Sequence, residues 1–375
     1  VGILIVHAFG PEGYPPVVNA ARAFAAAGLD VHVVGATLPE FAAMPWPSMA
    51  GVFRHPAPEW RAGRAASTAA LVSQAVGLAR RVRPRWVWCS DPWSLPAALP
   101  AAWTCGARLA YQEHDSPPPD PSGERWSRRA VRPLRRHALR RAELVVFPNA
   151  QRLEIARRTA GRGRGRDLVV WNVPALAELP VRKPTGAGEP LRAHFHGSIS
   201  PFALPLALID AVAEVPGVQL RIVGYSVAHD AHLASLRRRA SELGVDSRVE
   251  FLGPRSRADA LDAAAEADVG IAFFRPHPNN INHSHALGAS NKVFDYLAAG
   301  LAVLVPEAAE WQGSIVPAFG RACDPESAAS IAAVLRAFAA RTPDARPLGL
   351  AGRAQVTAEW HHERAVAPVI EALTP

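Results

Sequence analysis

The stretch Ala289-Ser290-Asn291-Lys292-Val293-Phe294-Asp295-Tyr296-Leu297-Ala298-Ala299-Gly300, followed by the apolar run Leu301-Ala302-Val303-Leu304-Val305, decides how this chain reads. Ser290 or Asn291 is suited to cap a helix, Val293, Phe294 and Leu297 supply its buried stripe, and Gly300 ends it ahead of a buried strand. Lys292 and Asp295 are three residues apart and share one face, with Cβ atoms roughly 5–6 Å apart. Two chemistries fit the pair. One is a solvated ion pair worth a few tenths of a kcal/mol. The other is an anion grip: free N–H groups and the macrodipole at the helix start favour a diphosphate, Lys292 adds a full charge, and Asp295 accepts from ribose hydroxyls. The chain has 41 Lys+Arg, yet only Lys183 and Lys292 are lysines, which favours the second.

With 375 residues, 49% hydrophobic and 20% charged, the chain is long enough for two domains with separate cores. No apolar stretch approaches the roughly 20 residues of a membrane span, and Val1-Gly2-Ile3-Leu4-Ile5-Val6 is too short for a signal-peptide core. Cys89, Cys105 and Cys323 lack metal-ligand spacing, so neither a disulfide framework nor a zinc site is expected, and a reducing cytoplasm fits. The formal net charge of +8 favours anionic partners: nucleic acid, an anionic membrane surface or phosphorylated small molecules.

The N-terminal half reads as alternating strands and helices. Val1–Val6 leads through the glycine loop Gly10-Pro11-Glu12-Gly13 into a helix from Pro16 to Ala27 and a second strand from Asp30 to Gly35. Residues 36–66 have no clear period and read as loops and short helices. A helix from Thr68 to Val82 follows, then strands at Trp86–Cys89, Ala107–Tyr111, Leu144–Phe147 and Leu168–Trp171. Such alternation predicts a doubly wound parallel sheet. The glycine loop is not GxGxxG, so it carries no dinucleotide fingerprint. Glu113-His114-Asp115 lies just past a strand, where open α/β sheets bind ligands, and is a candidate site. The basic run Arg125–Arg141 recurs at helical spacing. It is read as a solvated face or as a docking surface for anionic lipid or a phosphorylated acceptor. Nucleic acid is disfavoured because aromatic interleaving is missing apart from Trp126.

Pro and Gly punctuation across 173–190 marks a linker. A second α/β series spans 191–354, with strands at Leu191–His196, Val218–Gly224, Arg248–Leu252 and Val269–Phe274, and a polar loop from Arg275 to Ala289. Residues 355–375 close the chain as one or two helices. The expected domains are therefore 1–172, 191–354 and a C-terminal segment at 355–375.

The succession of Gly turn, Val249-Glu250-Phe251-Leu252-Gly253, Ala267-Asp268-Val269 and the motif Asn291 to Gly300 resembles the GT-B glycosyltransferases, and within them family four. The resemblance covers nearly the whole chain and is most specific in the C-terminal half. It implies an α/β fold of two Rossmann-like domains facing across a cleft, with the last helix crossing back to the first domain. It also implies a retaining, metal-independent transfer from a nucleoside diphosphate sugar to a glycan, lipid-linked or small-molecule acceptor. On this likeness Lys292, with His114 and Asp115, carries the chemistry. Asp295 binds the donor ribose, Ser290, Asn291, Gly197 and Ser198 line the diphosphate, and Gly224, Tyr225, Leu252 and Arg255 surround the base. Gly10, Gly13 and Glu113 face the acceptor. The family's first acid would fall at Leu287, so the sugar contact passes to His283, His285 or Asn282. The turn arginine is replaced by Ser198, and Lys292 takes the diphosphate charge. His277, His283 and His285 lie in a loop of asparagines without acids, which suits sugar hydroxyls better than a metal. The implied setting is polysaccharide, glycolipid or natural-product glycan synthesis in the cytoplasm, with peripheral contact at the inner membrane face. The rivals are a GT-B nucleotide-sugar epimerase and a non-catalytic protein docking on anionic glycolipid.

Overall fold

A computed structural model describes residues 2–38, 41, 44–57, 65–118, 129–183, 186, 189–226, 230–275, 280–341 and 344–374. The chain forms two compact units. The first comprises Val1–Asn172, His277–Ala289 and His362–Pro375, and the second Val173–Pro276 and Ser290–His361. The stretch 173–190, expected as a linker, thus counts with the second unit. Residues 277–289, expected as a loop of the second domain, count with the first, and the return to the first unit comes at His362 rather than at 355.

The first unit is built on β1 (Gly2–Phe9), α1 (Pro15–Ala26), β2 (Asp30–Ala36), β3 (Val52–Ala57), α2 (Ala65–Val82), β4 (Trp86–Ser90), α3 (Leu95–Cys105), β5 (Arg108–Gln112), α4 (Val131–Arg141), β6 (Leu144–Phe147), α5 (Ala150–Ala160) and β7 (Arg166–Val169). The strands form one parallel sheet in the order β3-β2-β1-β4-β5-β6-β7. Its central strands are apolar on both faces because helices cover both. Ile3, Ile5, Phe24 and Trp88 pack with Val366, Val369 and Leu373 of the closing helix on one side, and Leu4, Val6, Val87, Leu99 and Tyr111 with α2 and α3 on the other. One element departs from expectation and two stand where no element was assigned. β3 is an edge strand within the region read as irregular, its Pro56 tolerated because an edge has free positions in the ladder. α3 forms despite Pro96 and Pro100, and its residues Leu95, Ala97, Ala98, Leu99, Ala101 and Ala102 are all buried, so packing overrides propensity. α5 is capped by Asn149, whose side chain accepts from Arg152 N–H.

The second unit runs through β8 (Leu191–Ser198), α6 (Leu206–Glu214), β9 (Val218–Tyr225), α7 (Asp230–Glu242), β10 (Val249–Gly253), α8 (Arg257–Ala264), β11 (Val269–Ile271), α10 (Asn291–Ala298), β12 (Ala302–Pro306), β13 (Gly320–Cys323), α11 (Ala328–Ala339) and α12 (Ala345–Ala358). Between β11 and α10 the chain carries a short helix of the first unit, α9 (Ile281–Ser284), and after α12 it ends in α13 (His362–Leu373), also of the first unit. The second parallel sheet has the order β10-β9-β8-β11-β12-β13. Helix α10 is buried on every side rather than along one stripe: Val293, Phe294, Asp295, Tyr296, Leu297 and Ala298 are all inaccessible. Close approach of α12 makes this possible, since a methyl group on Gly352 would lie 2.4 Å from Leu297 Cδ2.

Each sheet therefore has the 3-2-1-4-5-6 order of the Rossmann fold, the first extended by β7. In such sheets ligands bind beyond the carboxyl ends of the strands where the order reverses. That point falls between β1 and β4 in the first unit and between β8 and β11 in the second.

Candidate functional site

In the second unit, β8 ends at the switch point in His196-Gly197-Ser198. Helix α10 begins there, its Ser290 Oγ accepting from Lys292 N–H at 3.4 Å. Lys292 passes over Gly197: a methyl group there would stand 3.1 Å from Lys292 Cε and 3.3 Å from Nζ. The ammonium lies 5.7 Å from the Phe195 ring centroid and 5.6 Å from that of Phe274, close enough for cation–π attraction. Gly197 has φ +112°, a conformation hostile to side chains. Gly197→Ala is therefore expected to lower the unfolding free energy by about 1–2 kcal/mol. A urea midpoint equal to that of the parent chain would show instead that the turn relaxes freely.

Asp295, on the same helix, does not pair with Lys292. It is fully buried and accepts from Arg257 Nη1 and Nη2 (3.0 and 2.9 Å), Asn291 Nδ2 (2.7 Å) and His196 Nε2 (3.3 Å). Arg257 also donates through Nε and Nη2 to Glu178, at 2.8 and 3.1 Å. Burial alone would raise the Asp295 pKa, but Arg257 and the hydrogen bonds from His196 and Arg257 outweigh it and bring it down to about 2. Burial likewise opposes charge on Arg257, and attraction to Asp295 and Glu178 overrides it, raising the arginine further. These ionisation states assign the tautomers. A carboxylate can only accept, so His196 donates from Nε2. Burial keeps that ring neutral, so its Nδ1 accepts from His194 Nε2 at 3.3 Å. The result is a continuous line His194–His196–Asp295–Arg257–Glu178, buried as far as Asp295 and partly exposed at Arg257 and Glu178, in which Asp295 is held by protein groups rather than presented to solvent.

The first unit's switch point gathers His7 at the end of β1, Tyr14 at the start of α1, Asp91 just past β4 and His114 just past β5. Asp91 is 4% exposed and adopts φ +72°, ψ 155°, a region nearly reserved for glycine. Its Oδ1 accepts from the backbone N–H of His114 (2.7 Å) and of Asp115 (3.1 Å). The Tyr14 hydroxyl donates to Asp115 Oδ2 at 3.0 Å and is also within hydrogen-bonding reach of Asp91. Burial, then the neighbouring Asp115 charge, push the Asp91 carboxyl well above the usual range despite the two amides. The Tyr14 ring stacks on His7 (4.7 Å) and meets His114 edge-on (5.7 Å). Both histidines are almost fully buried; the His7 ring is within hydrogen-bonding reach of the Ser90 and Phe9 carbonyls, whereas among the described residues neither ring nitrogen of His114 has a hydrogen-bond partner. Burial lowers His7 to about 4 and His114 to about 3, so both rings are neutral. An unpaired buried polar group costs about 1–3 kcal/mol. The two nitrogens of His114 are the kind of exception that points to a ligand.

The remaining expected residues fall differently. Gly224 faces Gly197 across β8 and β9, as Tyr225 faces Ser198, so these four are together at the carboxyl ends. Leu252 lies one strand further out on β10, and Arg255 is exposed on the following turn, whereas Arg257, two residues on, points inward. Glu113 turns away from His114 into a closed network, fully buried, accepting from Arg135 Nε and Nη2 (2.6 and 2.7 Å), the Ser116 hydroxyl (2.5 Å) and the Tyr111 hydroxyl. Gly10 and Gly13 make room for Phe41, whose ring would stand 2.3 and 2.5 Å from methyl groups placed on them. His285 and Asn282 belong to the first unit. Buried Arg152 donates to the carbonyls of both, at 2.8 and 2.7 Å, and to that of His114 at 2.5 Å. The Asn282 amide is spent on Ser116, accepting from its N–H (2.9 Å) and donating to its carbonyl (3.0 Å). The Leu287 carbonyl accepts from Asn149 Nδ2 at 2.9 Å. His277, Arg125 and Arg128 lie outside the described residues. Among the described residues, no three His, Cys, Asp or Glu side chains are grouped to hold a metal ion. No helix there is long and apolar enough to cross a membrane.

A hollow of about 430 Å³ in the second unit is lined by Arg192, Gln219, Arg221 and Arg248 among others. It opens at the amino ends of β8–β10, opposite the switch point, and its arginines are engaged by Glu189, Glu250, Glu266 and backbone carbonyls. Geometry therefore favours the carboxyl ends.

Comparison with known proteins adds the following. Residues 16–173 match the family model described as a glycosyl transferase 4-like domain, and residues 206–371 match one described as glycosyl transferase-like. A segment of 76 residues is 40% identical to D-inositol 3-phosphate glycosyltransferase of Mycolicibacterium smegmatis; this likeness spans 20% of the chain and 18% of that relative's length. Among solved structures, Anabaena HepE in complex with UDP-glucose superposes with a TM-score of 0.73 at 19% identity, over 100% of this chain and 99% of HepE. Sucrose-phosphate synthase of Thermosynechococcus elongatus superposes with a TM-score of 0.72 at 16% identity, over 99% and 98% of the two chains. At these identities the likeness establishes the fold.

Proposed function

We propose, from the premise that this chain belongs to the family-four-like GT-B glycosyltransferases, that it moves a glycosyl group from a nucleoside diphosphate sugar to an acceptor hydroxyl with retention at the anomeric carbon. The observation that carries this is Lys292 at the capped start of α10, lying over Gly197 at the switch point of the second sheet. A departing diphosphate there meets an ammonium and the N–H groups of a helix start, donors fixed before the reaction begins. In the transfer the acceptor oxygen bonds to the anomeric carbon, the bond from that carbon to the diphosphate oxygen breaks with its electrons on the phosphate, and the acceptor proton is released. The UDP-glucose bound by HepE supports a uridine-type hexose donor. The line Asp295–Arg257–Glu178 stands behind α10 and fixes its orientation. We assign the diphosphate charge to Lys292 rather than to a divalent ion, so activity should survive chelation.

The acceptor is assigned to the first unit, where His7, Tyr14 and His114 converge, and its class is a glycan, a lipid-linked sugar or a hydroxylated small molecule. A peripheral contact at the cytoplasmic membrane face is assigned to α4. Arg135 of that helix is committed to Glu113, but Arg136, Arg140 and Arg141 are exposed, and Trp103, 66% exposed, meets His137 edge-on. Such a face suits anionic lipid.

The test is a panel of nucleoside diphosphate sugars incubated with and without acceptors, in buffer and in excess chelator, with nucleoside diphosphate release and anomeric configuration followed by NMR. Acceptor-dependent release with retention supports the reading. Isomerisation of the donor alone would assign an epimerase instead. Absence of release with every donor, together with sedimentation on anionic vesicles, would assign a docking protein.

A further inference from the structure

We propose that Tyr296 is a positioning residue: by accepting from the His196 N–H, its hydroxyl locks the end of β8 against α10 and so sets where Lys292 stands over Gly197. The transfer reading above enters only through the role of Lys292, whereas the placement is a matter of the second unit's own geometry.

At the switch point β8 and β11 diverge. Their ladder is registered at Ala193 with Val269 and at His194 with Gly270; β11 ends at Ile271, and the Ala272 N–H already bonds to Leu304 of β12. Alternate residues of β8 turn their N–H groups to this side. That of Arg192 is met by the Asp268 carboxylate at 3.0 Å, and that of His196 emerges where β11 has ended. A buried N–H without an acceptor is costly, so its position demands one. The Tyr296 hydroxyl supplies it at 2.9 Å, from a helix rather than a strand. The ring fills the same gap. Tyr296 is fully buried, and its Cγ would stand 2.2 Å from a methyl group on Gly270, so the ring lies directly on the β11 backbone. It meets His196 and His194 edge-on, with ring centroids 4.7 and 5.9 Å apart. Phenylalanine would fill this wedge and leave the N–H unmet.

The consequence falls on Lys292. Lys292 and Tyr296 are four positions apart on α10 and share a face. One hydroxyl therefore ties the residue immediately before Gly197 to the helix that carries the lysine, whose Cε passes 3.1 Å from the position of a methyl group on that glycine. Without the bond the strand end and the helix are free to shift, and a displacement of about 1 Å in a reacting group can cost about 10²-fold in rate.

The test uses the rarity of lysine. Only Lys183 and Lys292 occur in the chain, so carbon-13-labelled lysine gives two Cε–Hε cross-peaks. The Lys183 side chain is 61% exposed and serves as internal reference, whereas Lys292 Nζ lies over the Phe195 and Phe274 rings. In the parent the Lys292 cross-peak, assigned by its loss in Lys292→Ala, is expected upfield of the Lys183 cross-peak. In Tyr296→Phe it is expected to move toward the Lys183 position while Lys183 itself is unchanged, with near-ultraviolet circular dichroism as the folding control. Coincident cross-peaks in the parent, or an unmoved Lys292 cross-peak in the folded variant, would overturn the proposal. Should the variant not fold, hydrogen exchange in the parent decides: the His196 amide is expected to be protected as well as that of Phe195, and exchange at the rate of an exposed turn would sink the bond. With a donor identified by the panel above, Tyr296→Phe is further expected to lower kcat about tenfold with the donor KM within about twofold, and to add less than about twofold to the loss in Lys292→Ala. Equal fractional losses in the two backgrounds would show a hydroxyl that does not act through the lysine. A displaced Lys292 signal with kcat unchanged would retain the positioning role and remove Lys292 from the transfer.

Discussion

Arg257→Met is expected to lower the unfolding free energy by about 3–5 kcal/mol, the cost of leaving buried charge uncompensated. The arginine is the only cation that the hydrogen bonds described above place on either Asp295 or Glu178, and it serves both. Removing it leaves a fully buried carboxylate supported, among the described residues, by His196 and Asn291. For a unit of this size the loss corresponds to about 2–4 °C of thermal midpoint per kcal/mol. The pH dependence gives a second readout. In the parent chain Asp295 is depressed to about 2, so its stabilising contribution is complete above the unfolded carboxyl value of about 4 and fades as pH falls toward 2. In Arg257→Met the sign reverses: burial is no longer offset, the folded carboxyl rises above its unfolded value, and acidification recovers stability. Denaturant titrations at pH 4 and pH 7 decide it. A deficit that stays the same or widens at the lower pH would show that Arg257 contributes packing rather than charge compensation.

The part of the chain that the sequence discloses is the part where local chemistry and burial agree. Runs such as Ile3-Leu4-Ile5-Val6 and Val303-Leu304-Val305 lie in central strands and are apolar on both faces, so they read as buried parallel strands without further information. The capped start of α10 was equally legible, since Ser290 carries its own partner two residues away. What stayed hidden depends on contacts distant in sequence. Strand β3 reads as irregular because its order comes from pairing with β2, not from its own His55-Pro56. Arg257 could not be told from Arg255, because the choice rests on Glu178, 79 positions away, and Asp295, 38 positions away. Leu287 leaves no acid at the family's first position, and the segment around it is pinned within the first unit by Asn149, Arg152 and Ser116. Two signals were present in the sequence. His194 and His196 alternate with Ala193 and Phe195 along β8, which places two polar rings on one buried face. Asp91 directly follows the buried run Trp86–Ser90, the position at which an open sheet presents its ligand groups.

Lys292→Ala is expected to cut turnover by about 10²–10³, the scale for losing one fixed donor to a developing negative charge, with little change in stability. The separation of the two effects follows from what holds each side chain. Asp295 is buried and its counter-charge is Arg257, so the electrostatic balance of the α10 interior does not depend on Lys292. The lysine instead extends past Gly197 toward the rings of Phe195 and Phe274, where its removal opens space at the mouth of the switch point rather than in the core. Arginine is a poor substitute, since its planar fork needs more room than a chain already 3.1 Å from the position of a methyl group on Gly197 leaves. Lys292→Arg should therefore recover less than a tenth of the lost rate, in contrast to a surface site where the two residues interchange. If the ammonium acts on the leaving group, the loss falls on kcat and on kcat/KM together, because the charge it meets is largest in the transition state. A rise in donor KM with kcat preserved would mean that Lys292 only binds the ground-state diphosphate, and turnover equal to the parent's would remove it from the chemistry.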